Sequence, residues 1–256
     1  MKTVTLRGVE IGAGAPKVIV PIVGRTRAYI LAQAAGLAAL PLDMAEWRAD
    51  FYEDVLDLNK TLDTLKALRA ALGDLPLLFT FRTRREGGER EISPEDYRAL
   101  NLAAARSGDA DAVDVEIFSG DELVRQIIGA VHAAGGAVVG SSHDHRGTPP
   151  REELTARLRK AQELGADLPK LAVMPQSPDD VLTLLGATQE MVRRWADRPV
   201  ITMSMAPLGT VSRLCGEVFG SAMTFGTAGQ ASAPGQIPAE ELRQVLDILH
   251  RALGEQ

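Results

Sequence analysis

Cysteine is nearly absent. Cys215 stands alone among 256 residues, so the chain cannot close a disulfide on itself, and a reducing, cytoplasmic setting is compatible with that. Aromatic residues make up only 4%, which argues against a base-stacking surface for nucleic acid. Positive charge is in deficit: 28 Lys and Arg stand against 34 Asp and Glu, a formal net charge of -6. A general affinity for nucleic acid or for an anionic membrane is therefore not expected. No uninterrupted apolar run is long enough to span a bilayer. The first ten residues carry Lys2, Arg7 and Glu10 without an apolar stretch, so no signal peptide is expected. A Walker A sequence and a G-x-S-x-G elbow are missing. Gly12-Ala13-Gly14-Ala15-Pro16-Lys17 lacks the third glycine of a dinucleotide fingerprint and precedes a strand instead of following one.

What is present is alternation. Apolar residues make up 45% and charged residues 24%, an ordinary globular balance with enough chain for a sizeable core. Eight short apolar runs, at 18–23, 42–47, 77–82, 112–116, 137–142, 168–173, 200–203 and 222–225, read as strands. Between them lie amphipathic stretches, such as Leu58, Leu62, Leu65, Leu68 and Leu72, or Leu242, Val245, Leu246 and Leu249, whose spacing marks one helix face. Ser93-Pro94-Glu95 and Ser177-Pro178-Asp179 read as N-caps followed by Pro at the first helical position. Eight strand–helix units predict an α/β fold, a (β/α)8 TIM barrel forming one domain over residues 1–256. An open doubly wound sheet is the structural alternative. Residues 4–11 predict a strand and Gly12-Ala13-Gly14 a turn ahead of the first barrel strand, together a hairpin closing the barrel bottom.

In a barrel of this kind the chemistry sits at the carboxyl ends of the strands. Those ends carry Glu46 and Arg48, Arg82, Asp114 and Glu116, His143, Lys170, and Arg213 beyond the seventh strand. Charges on strands covered by helices outside and packed side chains inside must be paired or serve a site. Lys170 lies in a mostly apolar strand, where desolvation and nearby Arg48, Arg82 or Arg213 would favour the neutral amine that an imine-forming lysine requires; the plain alternative is a structural pair with Asp114 or Glu116. His143 titrates in the range that suits reversible proton transfer. His143-Asp144-His145 also admits a metal reading, with Lys170 carbamylated, but His132 and His250 fall in helical patterns and leave it short of ligands. A barrel that only binds a small acid is a third reading. Cys215, in an apparent helix, and Met203 and Met205, at the barrel mouth, read as packing. The small polar residues 227–238 follow the last strand and would hang over the site, where Ser232 and Gln236 could close on substrate hydroxyls.

Taken in order, the strand-end segments resemble type I 3-dehydroquinate dehydratases. The matching pieces are Glu46-Trp47-Arg48-Ala49-Asp50, Phe79-Thr80-Phe81-Arg82-Thr83 with Glu86-Gly87-Gly88, Asp114-Val115-Glu116, Ser142-His143-Asp144, Lys170, Met203-Ser204-Met205 with Gly209, Ser212 and Arg213, and Ala231-Ser232-Ala233-Pro234-Gly235-Gln236. The resemblance implies a lyase of the shikimate pathway, which serves aromatic amino acid biosynthesis. It would convert 3-dehydroquinate to 3-dehydroshikimate by syn elimination of water, with no metal and no cofactor. It implies Lys170 as the Schiff-base residue, His143 as the proton carrier and Glu86 as its partner. Glu46, Arg48, Arg82, Arg213, Ser232, Gln236 and Met205 would contact substrate, and the enzyme would be a homodimer. A binding position after the first strand, often serine in the family, corresponds here to Pro21, which offers no hydroxyl.

Overall fold

The computed structural model describes residues 2–229 and 235–254. The chain opens with a hairpin, as expected, but its turn falls inside the 4–11 stretch read as one strand and not at 12–14. β1 (Val4–Leu6) and β2 (Val9–Ile11) pair antiparallel around Arg7 and Gly8, both at positive φ (44° and 83°), as a two-residue hairpin turn requires. Eight parallel strands follow: β3 (Lys17–Ile22), β4 (Met44–Arg48), β5 (Leu77–Thr80), β6 (Ala112–Glu116), β7 (Ala137–Asp144), β8 (Leu168–Val173), β9 (Ile201–Ser204) and β10 (Met223–Phe225). They form one sheet in the order β10-β3-β4-β5-β6-β7-β8-β9. Its two ends meet through a parallel bridge between Val200 and Ser221, and the Ser221 Oγ accepts from the Thr202 amide at 3.0 Å. One side chain thus stands in for a ladder rung and closes the barrel.

The helices are α1 (Arg27–Leu37), α2 (Leu58–Leu72), α3 (Pro94–Ser107), α4 (Asp121–Ala133), α5 (Arg151–Leu164), α6 (Pro178–Arg194), the short α7 (Thr210–Leu214) and α8 (Gly216–Phe219), and α9 (Ala239–Gly254). Both expected caps form. Ser93 Oγ accepts from the Asp96 amide ahead of α3, and Ser177 with Asp180 makes a reciprocal capping box at α6. None of the helices described is long and apolar enough to cross a membrane.

The period of two along each strand sorts the residues into two layers. Val18, Val20, Ala45, Trp47, Leu77, Phe79, Val113 and Val115 pack outward against helices, in one buried cluster. Ile19, Met44, Leu78, Ala112, Val139, Leu168, Ala172, Ile201 and Met223 pack in the barrel lumen, in another. Glu46 and Arg48 share the inward parity of Met44, Asp114 and Glu116 that of Ala112, His143 that of Val139, and Lys170 that of Leu168. The charged set therefore faces the lumen. Leu6 and Ile11 of the hairpin join the same inner cluster and close the barrel from below. Arg7 Nε reaches Asp111 Oδ1 at 2.7 Å, and Asp111 also accepts from the Leu77 amide and Arg69.

Most strand ends differ from the sequence expectation by one or two residues, and three boundaries have a local cause. The second barrel strand starts at Met44, because 40–42 turn on a Leu42-to-Leu40 backbone bond. The third ends at Thr80, where Phe81 and Arg82 leave the ladder toward a bridge between Thr83 and Arg90. Cys215 stands between α7 and α8 instead of inside one helix; Gly216 follows it and packs closely against Ser221.

Candidate active site

The lumen opens at the carboxyl ends of the strands into a cavity of about 110 Å³. It is lined by Glu46, Arg48, Arg82, Glu86, Gly87, His143, His145, Lys170, Ala172, Met203, Met205, Arg213, Phe225 and Gln236. Nine of the ten residues singled out in the sequence converge here. The tenth, Ser232, lies outside the described residues.

Lys170 enters from β8 and is 4% exposed. Its Nζ stands 3.4 Å from Asp114 Oδ2 and 3.8 Å from Glu46 Oε1, and 4.5 Å above the Phe225 ring. Of the surroundings the sequence left open for the amine, the pair with Asp114 forms, and Glu46 and the Phe225 face add to it. Glu46 is held by a 2.9 Å bond from Thr80 Oγ1. Asp114 accepts from Ser141 Oγ at 2.6 Å and from Arg82 Nη2 at 2.8 Å. Burial pushes the Asp114 carboxyl up, but Arg82, Lys170 and the Ser141 bond outweigh it and hold the group below the usual carboxylate range.

His143 enters from β7 beside a second set of partners. Glu86 Oε2 lies 3.0 Å from both the His143 amide nitrogen and its Nδ1. With Nδ1 as donor to that oxygen, Nε2 is left as the basic nitrogen. Burial lowers the imidazole well below its ordinary value, and the charges of Arg82 and Lys170 lower it further. His143 is thus neutral at neutral pH. Glu86 sits in the short 3-10 turn Arg84–Glu86. Burial, with Glu116 and against Arg82, raises its carboxyl to about 8.

The turn that carries Glu86 needs two glycines. Gly87 is left-handed (φ +84°), and a Cβ there would fall 2.1 Å from His145 Nε2. A Cβ on Gly88 would fall 1.9 Å from the Arg82 carbonyl. His145, considered in the sequence only as a metal partner, lines the cavity mouth with its Nε2 3.0 Å from the Glu86 carbonyl oxygen. That is a main-chain contact, and no spacing rule announces it. Among the described residues, no three His, Cys, Asp or Glu side chains are grouped to hold a metal ion.

The arginines divide by partner. Arg48 binds Asp50 through Nε and Nη2, both at 2.8 Å. Arg82 reaches Asp114, Glu116 and Ser141 within 3.0 Å. Arg213 is 1% exposed, and burial pulls its guanidinium down to about 10. Its Nη1 is 3.7 Å from Met203 Sδ.

Fold and cavity define the class first: a (β/α)8 barrel with a charged cavity at the carboxyl ends of its strands, where enzymes of this architecture place their chemistry. The sequence profile described as type I 3-dehydroquinase matches residues 18–252. A 3-dehydroquinate dehydratase of Syntrophotalea carbinolica is 55% identical, covering 98% of this chain and 99% of its own length. One from Bacillus licheniformis is 54% identical at 98% and 99%. The solved type I 3-dehydroquinate dehydratase of Clostridium difficile, described with covalent modified comenic acid, superposes with a TM-score of 0.96 at 48% identity, over 98% of this chain and 99% of that one. That of Geobacillus kaustophilus gives 0.95 at 41%, over 98% and 97%. The chain belongs to the type I 3-dehydroquinase family.

Proposed function

We propose that the chain, a hydro-lyase by family, converts 3-dehydroquinate to 3-dehydroshikimate through an imine on Lys170. The observation that carries this reading is the pairing, in one cavity, of a buried strand lysine with a histidine that burial keeps neutral and Glu86 orients. The dehydratase names of relatives at 55% and 54% identity support the substrate.

The chemistry follows from the groups present. Lys170 stands between Asp114 and Glu46 and attacks as the free amine, so any proton on it must first pass to a base, which neutral His143 can be. The free amine adds to the ring ketone. His143 returns the proton to the carbinolamine hydroxyl, water leaves, and a protonated imine remains. That imine draws electrons from the adjacent carbon, so His143 Nε2 can take its proton and leave an enamine. The enamine expels the β-hydroxyl, which the same imidazolium protonates on the same face. A second water hydrolyses the conjugated imine and frees Lys170. Protons balance through one histidine, so the route calls for no metal and no organic cofactor.

Substrate contacts fall to the rest of the set. A substrate carboxylate offsets the burial of Arg213 and adds to Arg48, a side chain suited to bidentate binding of carboxylates. Arg82 serves mainly as the tie between Asp114 and Glu116 and meets substrate along its cavity edge. Glu46, Gln236 and Ser232 meet hydroxyls, and Met205 packs on the ring. Pro21, on β3 opposite Glu46 in register, donates nothing. The reading takes residues 1–256 as one catalytic domain of a cytoplasmic homodimer, in which sedimentation gives twice the chain mass. The test of activity is absorbance of the conjugated enone product from 3-dehydroquinate. An active preparation shows it without added metal, and no absorbance change overturns the reading.

A further inference from the structure

Asp114 is fully buried and touches no part of the cavity surface, yet it is the carboxylate nearest the lysine. It sits on β6, two strands from Lys170 on β8. The strand between them, β7, places Ser141 level with Glu116 on one side and with Lys170 on the other. Serine matters at that point for two reasons. Its small side chain leaves space for a carboxylate from β6 to reach an amine on β8 across the inward face. Its hydroxyl also donates to Asp114 Oδ1 at 2.6 Å while accepting from Arg82 Nη1 at 2.9 Å. Arg82 Nη2 takes the same Oδ1 at 2.8 Å. One oxygen of Asp114 is therefore clamped from two directions, and the other is turned to Lys170 Nζ.

We infer that Asp114 is a positioning residue for Lys170, and that Ser141 is the clamp that fixes it. The carboxylate sets where Nζ stands relative to the cavity and therefore where the ketone meets it. Glu46 cannot replace it, because Glu46 stands farther from Nζ and its near oxygen, Oε1, also holds the Thr80 hydroxyl. The inference rests on the reading of Lys170 as the nucleophile and adds to it a requirement on a residue that does not touch substrate. Orientation of an attacking group accounts for large rate factors even when displacements are small.

The test is the rate at which substrate and borohydride give a reduced adduct on Lys170, measured by peptide mass in wild type, Asp114→Asn and Ser141→Ala. Asp114→Asn is expected to slow adduct formation about 100-fold. Ser141→Ala keeps the space and the charge but removes one of the two holds on Oδ1, and is expected to slow it roughly fivefold, near the effect of one hydrogen bond. In Ser141→Ala the loss falls on kcat with KM held within about twofold, because neither residue meets substrate. Adduct rates equal to wild type in Ser141→Ala, or a loss confined to KM, overturn the inference, and Ser141→Ala decides if Asp114→Asn fails to fold. Absence of any adduct in active wild type overturns the lysine reading instead, so the two failures are distinct.

Discussion

The two walls of the cavity are built on opposite electrostatic plans. On the β8 side, Lys170 meets the carboxylates of Asp114 and Glu46. On the β7 side, His143 meets burial and cations and is kept uncharged, and its carboxylate partner Glu86 is one whose own burial raises it to about 8. The amine wall presents carboxylates to its cation-forming group, and the imidazole wall presents cations to its own. Pushing the protonation of two neighbouring groups apart is how a site assigns acid and base roles. The Arg82 guanidinium joins the walls, touching Asp114 on one side and standing 3.6 Å from Glu86 on the other.

Lys170→Ala breaks the comparison most severely, with kcat/KM expected to fall on the order of 10⁴-fold in the enone assay. His143→Ala leaves the amine wall intact. Borohydride trapping on Lys170 is expected to survive while turnover falls about 10² to 10⁴-fold, and turnover equal to wild type would contradict the assignment. Glu86→Gln keeps a hydrogen-bonding side chain but no longer imposes the Nδ1–H tautomer, so turnover falls roughly tenfold or more.

The same variant sharpens the comparison through pH. Glu86 is raised from 4.5 to about 8 in the folded chain, so its protonated form contributes stability that is complete below pH 4.5 and is lost as pH rises through about 8. Chemical denaturation of Glu86→Gln over pH 4.5 to 8 should lose less stability with rising pH than wild type. His143, lowered in the fold, runs the other way: its contribution is present above its ordinary value and is lost as pH falls below it. The acid limb of kcat/KM that reports this group should accordingly lie well below pH 6.5.

Gly12 touches neither wall. It has φ +95°, and a Cβ would lie 2.5 Å from Pro199, so Gly12→Ala is expected to cost about 1–3 kcal/mol in denaturation with kcat and KM unchanged.

The barrel was legible because alternation along a strand is local. Once Met44, Ala112 and Leu168 are inward, the parity of Glu46, Asp114 and Lys170 follows without any structure. The hairpin was legible only in part: Gly12 and Gly14 suggested its turn, whereas the chain turns at Arg7 and Gly8, inside the run read as one strand. Partnerships across strands were not. Nothing near Arg82 in sequence announces that it ties down Asp114 and Glu116, 32 and 34 positions on, so Asp114 stood in the sequence only as one of two alternative partners of the amine. The meeting of Glu86 with His143, 57 residues apart, came from the family resemblance, because it depends on a turn whose glycines have no periodic signature. The early end of β5 was hidden because Phe81 remains a buried apolar residue after leaving the ladder.

The central claim is that the lysine wall does covalent chemistry. Active enzyme is incubated with 3-dehydroquinate and borohydride, digested, and its peptides are weighed. The account predicts one stoichiometric reduced adduct on Lys170, formed in wild type and in His143→Ala. An adduct on another lysine, or none while the wild-type enzyme turns over, would contradict it.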